Sequence, residues 1–276
     1  MPSRMQVTEA MTLVSSVTQY DEAKLWLVAL LYSTVRLQAA LAIIPLFNKA
    51  VVPALLRSAI GVALSLVLVP PLRQTLDGVP ETFTLVATVL KEGFLGLLIG
   101  YAVAVLFWAI EGVGFFIDNQ RGASIASTLN PLTGNDTSPL GMLFNQAFIV
   151  FFLVSGGFLV FLGMLYDSYR LWPVISYFPT LDVGGVDVFA DLFQRLVRSA
   201  VVLSSPAIVA MLLAEIGLAL VSRFAPQLQV FFLAMPVKSA VAFLVLVVYL
   251  PTLFGYIHDE IGALASMLDV LGRGLR

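Results

Sequence analysis

Apolar residues fall in long runs along this chain, and polar residues gather in the short stretches between them. The runs cover residues 25–47, 54–69, 83–117, 140–166, 192–221 and 230–257. Most approach or exceed the ~20 residues that carry a helix across a bilayer. The pattern predicts an all-α, membrane-associated protein built from six apolar helices. Residues 1–20 carry Met5, Val7, Met11, Leu13, Val14 and Val17 among polar neighbours, a spacing that predicts a short amphipathic helix. Residues 1–24 lack a small-residue cleavage pattern after the first apolar stretch, so that run is read as part of the mature protein. Pro45 and Pro53 bracket a bend with Asn48 and Lys49, so the first two runs form a hairpin, the second ending at Pro70-Pro71. The third run is too long for one perpendicular crossing. Its Gly93, Gly96 and Gly100 have the spacing that lets helix backbones approach closely. Gly156-Gly157 predicts a kink in the fourth run, Pro206 a break in the fifth, and Pro251 a bend in the sixth. In the polar stretch 167–190, Asp187 is placed to cap the next helix.

Residues 111–131, EGVGFFIDNQRGASIASTLNP, break the apolar pattern most sharply. Irregular backbone at membrane depth is tolerated only where protein or a water-filled path surrounds it. The stretch is therefore expected to line a cavity, a pore or a subunit contact. Gly112, Gly114 and Gly122 free the backbone to leave helical geometry. Phe115, Phe116 and Ile117 supply an apolar obstruction. Asp118, Asn119, Gln120 and Arg121 form a polar side on which Asp118 is placed to pair with Arg121, and Asn130-Pro131 closes the stretch.

Of the 276 residues, 59% are hydrophobic and 12% charged, the latter about half the ~25% of a soluble domain. That leaves little room for a separate soluble domain. The net charge of −2 gives no basic footprint for nucleic acid. Cysteine is absent and His258 is the single histidine, which excludes disulfides, thiol chemistry and multi-histidine metal sites. There is no phosphate-binding loop, HExxH pair or GxSxG elbow. No catalytic, cofactor or metal site is expected, and the chain reads as a non-enzyme.

Charges recur where lipid should be. Arg36, Arg57, Lys91, Glu92, Glu111, Glu215, Arg223 and Lys238 lie in or beside the apolar runs. Each would cost at least ~2.5–3.5 kcal/mol at a bilayer centre. They pair with one another, face water, or sit on helices surrounded by protein rather than lipid. Arg57, Arg223 and Lys49 lie near run boundaries, where snorkelling suffices. Arg36, Glu111 and Glu215 do not, and ion pairing is preferred over a proton relay for the acids.

Several pieces in order resemble the T subunit of the type III secretion export apparatus, the SctT/FliR family. They are R-x8-P-x7-P-x3-R at Arg36, Pro45, Pro53 and Arg57; GFFIDNQRGASIASTLNP at 114–131; SPLGMLFNQ at 138–146; the glycine pair of the fourth run; SSPAIVAMLLAE at 204–215; and RFAPQLQVFFLAMPVKS at 223–239. The Met-Pro-Val-Lys ending of the last resembles injectisome members more than flagellar ones.

The resemblance implies a spiral export gate of five R-type, four S-type and one T subunit, much of it above the inner-membrane plane. It implies kinked helical hairpins like an R-type and an S-type subunit fused, in one export-gate domain over 1–276. Residues 1–24 would form the amphipathic segment. Residues 25–166 would form the R-like half with the plug-like insert 111–131, and residues 167–276 would hold the S-like hairpin. Further implied partners are the U-type switch subunit, the inner-rod protein and secreted protein substrates. Plug residues would be Gly112, Gly114, Phe115, Phe116, Ile117, Asp118, Gln120, Arg121, Gly122 and Pro131. Assembly residues would be Arg36, Arg57, Glu111, Glu215, Arg223, Pro226, Gln227, Pro236 and Lys238, with Glu215, Arg223 and Lys238 pairing across subunits. The competing class is a stand-alone transporter or channel for a small solute, which should show paired halves with matching breaks. No such halves are found.

Overall fold

A computed structural model describes residues 4–47, 52–122, 138–176, 184–225 and 230–274. Among the described residues every regular element is helical. Helix α1 spans Arg4–Ile43, α2 Ala54–Ser65, α3 Val69–Gln74 and α4 Thr82–Arg121. Helix α5 spans Pro139–Val154, α6 Gly157–Leu171, α7 Gly184–Phe224 and α8 Val230–Gly274. Among the described residues, five helices are long and apolar enough to cross a membrane, or six if the bent pair α5–α6 counts as one span.

The breaks follow glycine more than proline. Residues 4–43 contain neither residue, so the short helix expected over 1–20 is the beginning of one 40-residue helix. It stops at Ile43, because the residue before Pro45 disfavours helical backbone. Pro70 and Pro71 open α3 rather than closing α2, since first-turn positions need no N–H. Pro206 does not break α7, nor do Pro236 and Pro251 end α8. Pro206 leaves the Val202 carbonyl without its usual amide, and Ser205 Oγ donates to that oxygen at 2.7 Å. Asp187 sits inside the first turn of α7, not at its cap. The true kink is at Gly156, where φ is +81° and α5 and α6 diverge by 71°. That left-handed geometry suits glycine alone.

The chain divides into two compact units. The first combines Met1–Tyr101 with Met164–Thr180, and the second Ala102–Gly163 with Leu181–Arg276. In the first, α1 and α2 form the expected hairpin. Gln38 Nε2 donates to Ser58 O at 2.8 Å, and the Thr34 and Ser65 hydroxyls are 2.8 Å apart. Helix α4 lies on the other side of α1 in backbone contact. A Cβ on Gly96 would collide with Arg36 O, and one on Gly100 would sit 2.6 Å from Ala40 O. Gly93 is looser, with Val35 Cγ1 at 3.6 Å. Val28, Tyr32 and Val174 form an apolar centre with Leu72, Leu76, Leu85 and Val89 around it.

A buried charge network lies within this unit. Arg36 is fully inaccessible. Its Nε donates to Glu92 Oε2 at 2.6 Å, Nη1 to Ser168 Oγ at 3.0 Å and Nη2 to Trp172 O at 2.9 Å. Its guanidinium carbon lies 3.9 Å from the Tyr169 ring centroid. Lys91 donates to the carbonyls of Pro173, Val174 and Ser176 at 3.3, 2.6 and 3.0 Å, and faces Glu92 Oε1 as a charge at 3.2 Å. Two cations and one carboxylate leave a net positive charge. It is answered by carbonyls at the C-terminal end of α6, the negative pole of that helix. Arg36 thus ties α1 to α4 and to the end of α6. The sequence-level option that these charges pair is the one realised for Arg36, Lys91 and Glu92.

In the second unit α7 and α8 form an antiparallel hairpin. The Ser199 and Tyr256 hydroxyls are 3.0 Å apart and Tyr256 donates to Glu260 at 2.8 Å. Outer faces of α2, α7 and α8 leave Leu55, Leu56, Leu213, Phe224, Leu244 and Val247 exposed. Such apolar faces call for lipid or protein cover.

Removing Glu92 strands two buried cations, a loss of about 3–5 kcal/mol. Glu92→Ala should abolish accumulation of the chain in the membrane fraction, read by immunoblot. Arg57→Ala should leave the level unchanged, because Arg57 makes one long bond to Phe47 O at 3.5 Å. Gly96→Ala drives a Cβ into α1 backbone and should lower the melting temperature of the detergent-solubilised protein. Gly93→Ala should leave that temperature within a degree or so, since its Cβ meets only ordinary contact.

Candidate functional site

Helices α4 and α5 run antiparallel and meet along one face of each. On α4 that face carries Phe107, Glu111, Gly114 and Asp118, spaced by three or four residues as helix neighbours must be. At its apolar end the Phe107 ring meets Phe148 at 4.5 Å and Phe152 at 5.2 Å, both edge-on. One turn on, Asn145 Nδ2 donates to Glu111 Oε2 at 3.0 Å. Next, Gly114 lies against Gly141, where a Cβ would collide with the Gly141 backbone. The polar end is Asp118.

Asp118 is 3% exposed. Its Oδ1 accepts from Arg121 Nε at 2.7 Å. Its Oδ2 accepts from Ser138 Oγ at 2.6 Å and from Leu140 N at 2.9 Å. Ser138 is the N-cap of α5, and its Oγ also accepts from Gly141 N at 2.8 Å. The carboxylate therefore sits at the positive end of α5 and takes one of its orphan amides. Arg121 in turn places its guanidinium 5.4 Å from the Phe243 ring centroid on α8. The result is a clamp. It joins the end of α4 to the start of α5, so both ends of residues 122–138 are held together.

The structure corrects several sequence expectations. Gly112 and Gly114 do not leave helical geometry; they are close-packing positions in α4, Gly112 against Ala200 and Gly114 against Gly141. Only Gly122 among the three has left-handed backbone, with φ +84°. Phe115 and Phe116 are exposed, and Ile117 is fully buried. Glu111 faces an amide rather than a cation. Lys238 pairs with Glu215 inside this chain, Nζ to Oε2 at 3.3 Å, so these two do not need another subunit as partner. Arg223 is exposed at the end of α7 and makes no ion pair among the described residues. Pro236 is exposed within α8, and Gln120 is partly buried on the last turn of α4. Pro131, Pro226 and Gln227 lie outside the described residues.

The Asp118–Arg121 pair is present as the spacing suggested. Ser138, the Leu140 amide, Asn145 and Phe243 were not read as site residues. Ser138-Pro139 did carry a signal, a capping serine before a proline at the first helical position. Phe243 carried none, since an aromatic in an apolar run is ordinary core or lipid contact.

The family model described as "Bacterial export proteins, family 1" matches residues 27–264. The chain is 46% identical over 215 residues to "Yop proteins translocation protein T" of Yersinia pestis, covering 78% of this chain and 82% of that protein. It is 32% identical over 237 residues to "Secretion system apparatus protein SsaT" of Salmonella typhimurium, covering 82% and 88%. To "Flagellar biosynthetic protein FliR" of Bacillus subtilis it is 31% identical over 254 residues, covering 88% and 96%. With the match running through the clamp and both hairpins, the chain belongs to family 1 of the bacterial export proteins, the SctT/FliR family, on its injectisome-like side.

Proposed function

We propose that this chain is the T-type structural and gating subunit of a type III protein export gate in the bacterial inner membrane. It closes the R/S/T spiral of five R-type, four S-type and one T subunit, and forms part of the channel for unfolded protein substrates. Residues 25–166 are the R-like half and the α7–α8 hairpin belongs to the S-like half, within one export-gate domain. The U-type switch subunit and the inner-rod protein are its further neighbours. Exposed apolar faces on α2, α7 and α8 suit contact with sibling subunits.

The observation that carries the gating reading is the clamp. Asp118 holds the two ends of residues 122–138 at one point, and Phe115 and Phe116 are exposed on the helix leading to it. The plug-like stretch 111–131 is read as an obstruction that a population shift moves aside when an unfolded substrate arrives. Its closed position depends on a charge-assisted bond network that no single substitution replaces.

Asp118→Ala removes both halves of the clamp. In the assembled complex reconstituted into vesicles it should raise ion leakage several-fold while the complex still co-purifies. Phe115→Ala with Phe116→Ala should raise leakage to a similar degree. Unchanged leakage and unchanged secretion in both variants would overturn the gating role. A chain that is monodisperse alone and moves a small solute would instead mark a transporter.

A further inference from the structure

Asn145 Oδ1 is buried without a hydrogen-bond partner among the described residues, although its own amide nitrogen donates to Glu111 3.0 Å away. A buried acceptor left empty costs more than a typical hydrogen bond gains, and native structures rarely leave one so. The carboxamide nitrogen has two hydrogens, and when the one on the Oδ1 side donates to one oxygen of a carboxyl group, Oδ1 faces that group's other oxygen. An ionised carboxylate has only acceptors to offer it.

We propose that Glu111 carries a proton and closes a two-bond ring with the Asn145 carboxamide. Asn145 Nδ2–H donates to the Glu111 carbonyl oxygen, and the Glu111 hydroxyl donates to Asn145 Oδ1. The proton comes from solvent and no other bond changes. Each group then donates once and accepts once, and both are neutral.

The surroundings fit a neutral acid. Helix α5 carries no Asp, Glu, Lys or Arg. On α4 the nearest charges in the direction of the clamp are Asp118 and Arg121, which are spent on each other. Helix α7 meets α4 at Ala200 under Gly112, and its nearest basic residue in sequence, Arg198, makes no ion pair with Glu111. On α8, Lys238 is held by Glu215. Below Glu111 lies the ring cluster of Phe107, Phe148 and Phe152. A charged carboxylate there would be partly desolvated and answered by one neutral amide, with no cation beside it.

The ring clips α4 to α5 between the phenylalanine cluster and the glycine contact, two turns from Asp118. Because it is made of the protonated form, raising the pH removes it and leaves two acceptors facing each other. Any effect on the gate rests on the plug reading above.

The test is infrared difference spectroscopy on the chain purified with its export-apparatus partners. A carbonyl band of a protonated carboxylic acid should be present at neutral pH, disappear on alkaline titration, be absent in Glu111→Gln and shift in Asn145→Leu. Glu111→Gln mimics the neutral acid and should assemble normally. Coincident wild-type and Glu111→Gln spectra in that region would overturn the proposal. So would assembly that survives in Glu111→Asp but fails in Glu111→Gln, which would mean that the charge is required. If the band behaves as expected while Asp118→Ala leaves ion leakage and secretion unchanged, the clip stands and the plug reading fails.

Discussion

A guanidinium removed from water must have every donor answered, and Arg36 shows how much structure that demand organises. Five N–H groups cannot be met by one carboxylate. Glu92 takes the Nε hydrogen, Ser168 and the Trp172 carbonyl each take one from a terminal nitrogen, and the Tyr169 ring covers a face. Lys91 adds a second cation that again turns to backbone carbonyls. Because those carbonyls belong to the chain leaving α6, the segment is held by main-chain atoms and not by the identity of its side chains. Glycines at 96 and 100 are the steric counterpart, since the Arg36–Glu92 bond needs α1 and α4 this close.

The second unit meets the same constraint with different groups. Along the α4–α5 seam, polarity rises from three phenylalanine rings to a carboxyl–carboxamide pair, then a glycine contact, then a carboxylate with three donors. Apolar packing is used where no polar group has to be met. Helix ends are used where one does: Asp118 is satisfied by the capping serine and an orphan amide of α5. Proline is accommodated in the same spirit, with Ser205 supplying the bond that Pro206 removes.

In the gating role proposed for this chain, these arrangements act through stiffness. A clamp whose oxygens are all occupied holds one geometry, and it fixes the end of α4 against the start of α5.

Composition and periodicity determined that the chain is helical and apolar, because helix-length runs admit few other solutions in a low-dielectric surrounding. The small-residue spacing of 93, 96 and 100, the kink at 156 and the Asp118–Arg121 pair were likewise legible, each being a local signal within one or two turns. Ordered motifs carried the family. What only the tertiary structure decided is which charges meet. Arg36 and Ser168 are 132 positions apart, and Asp118 reaches Leu140 across a loop. Nothing local in a sequence encodes a partner at that distance, so Glu215 was assigned to a neighbouring subunit and Glu111 to a cation. Glycines at 112 and 114 were read as freedom and turned out to be proximity, because a missing side chain serves either purpose until a second helix is laid against it.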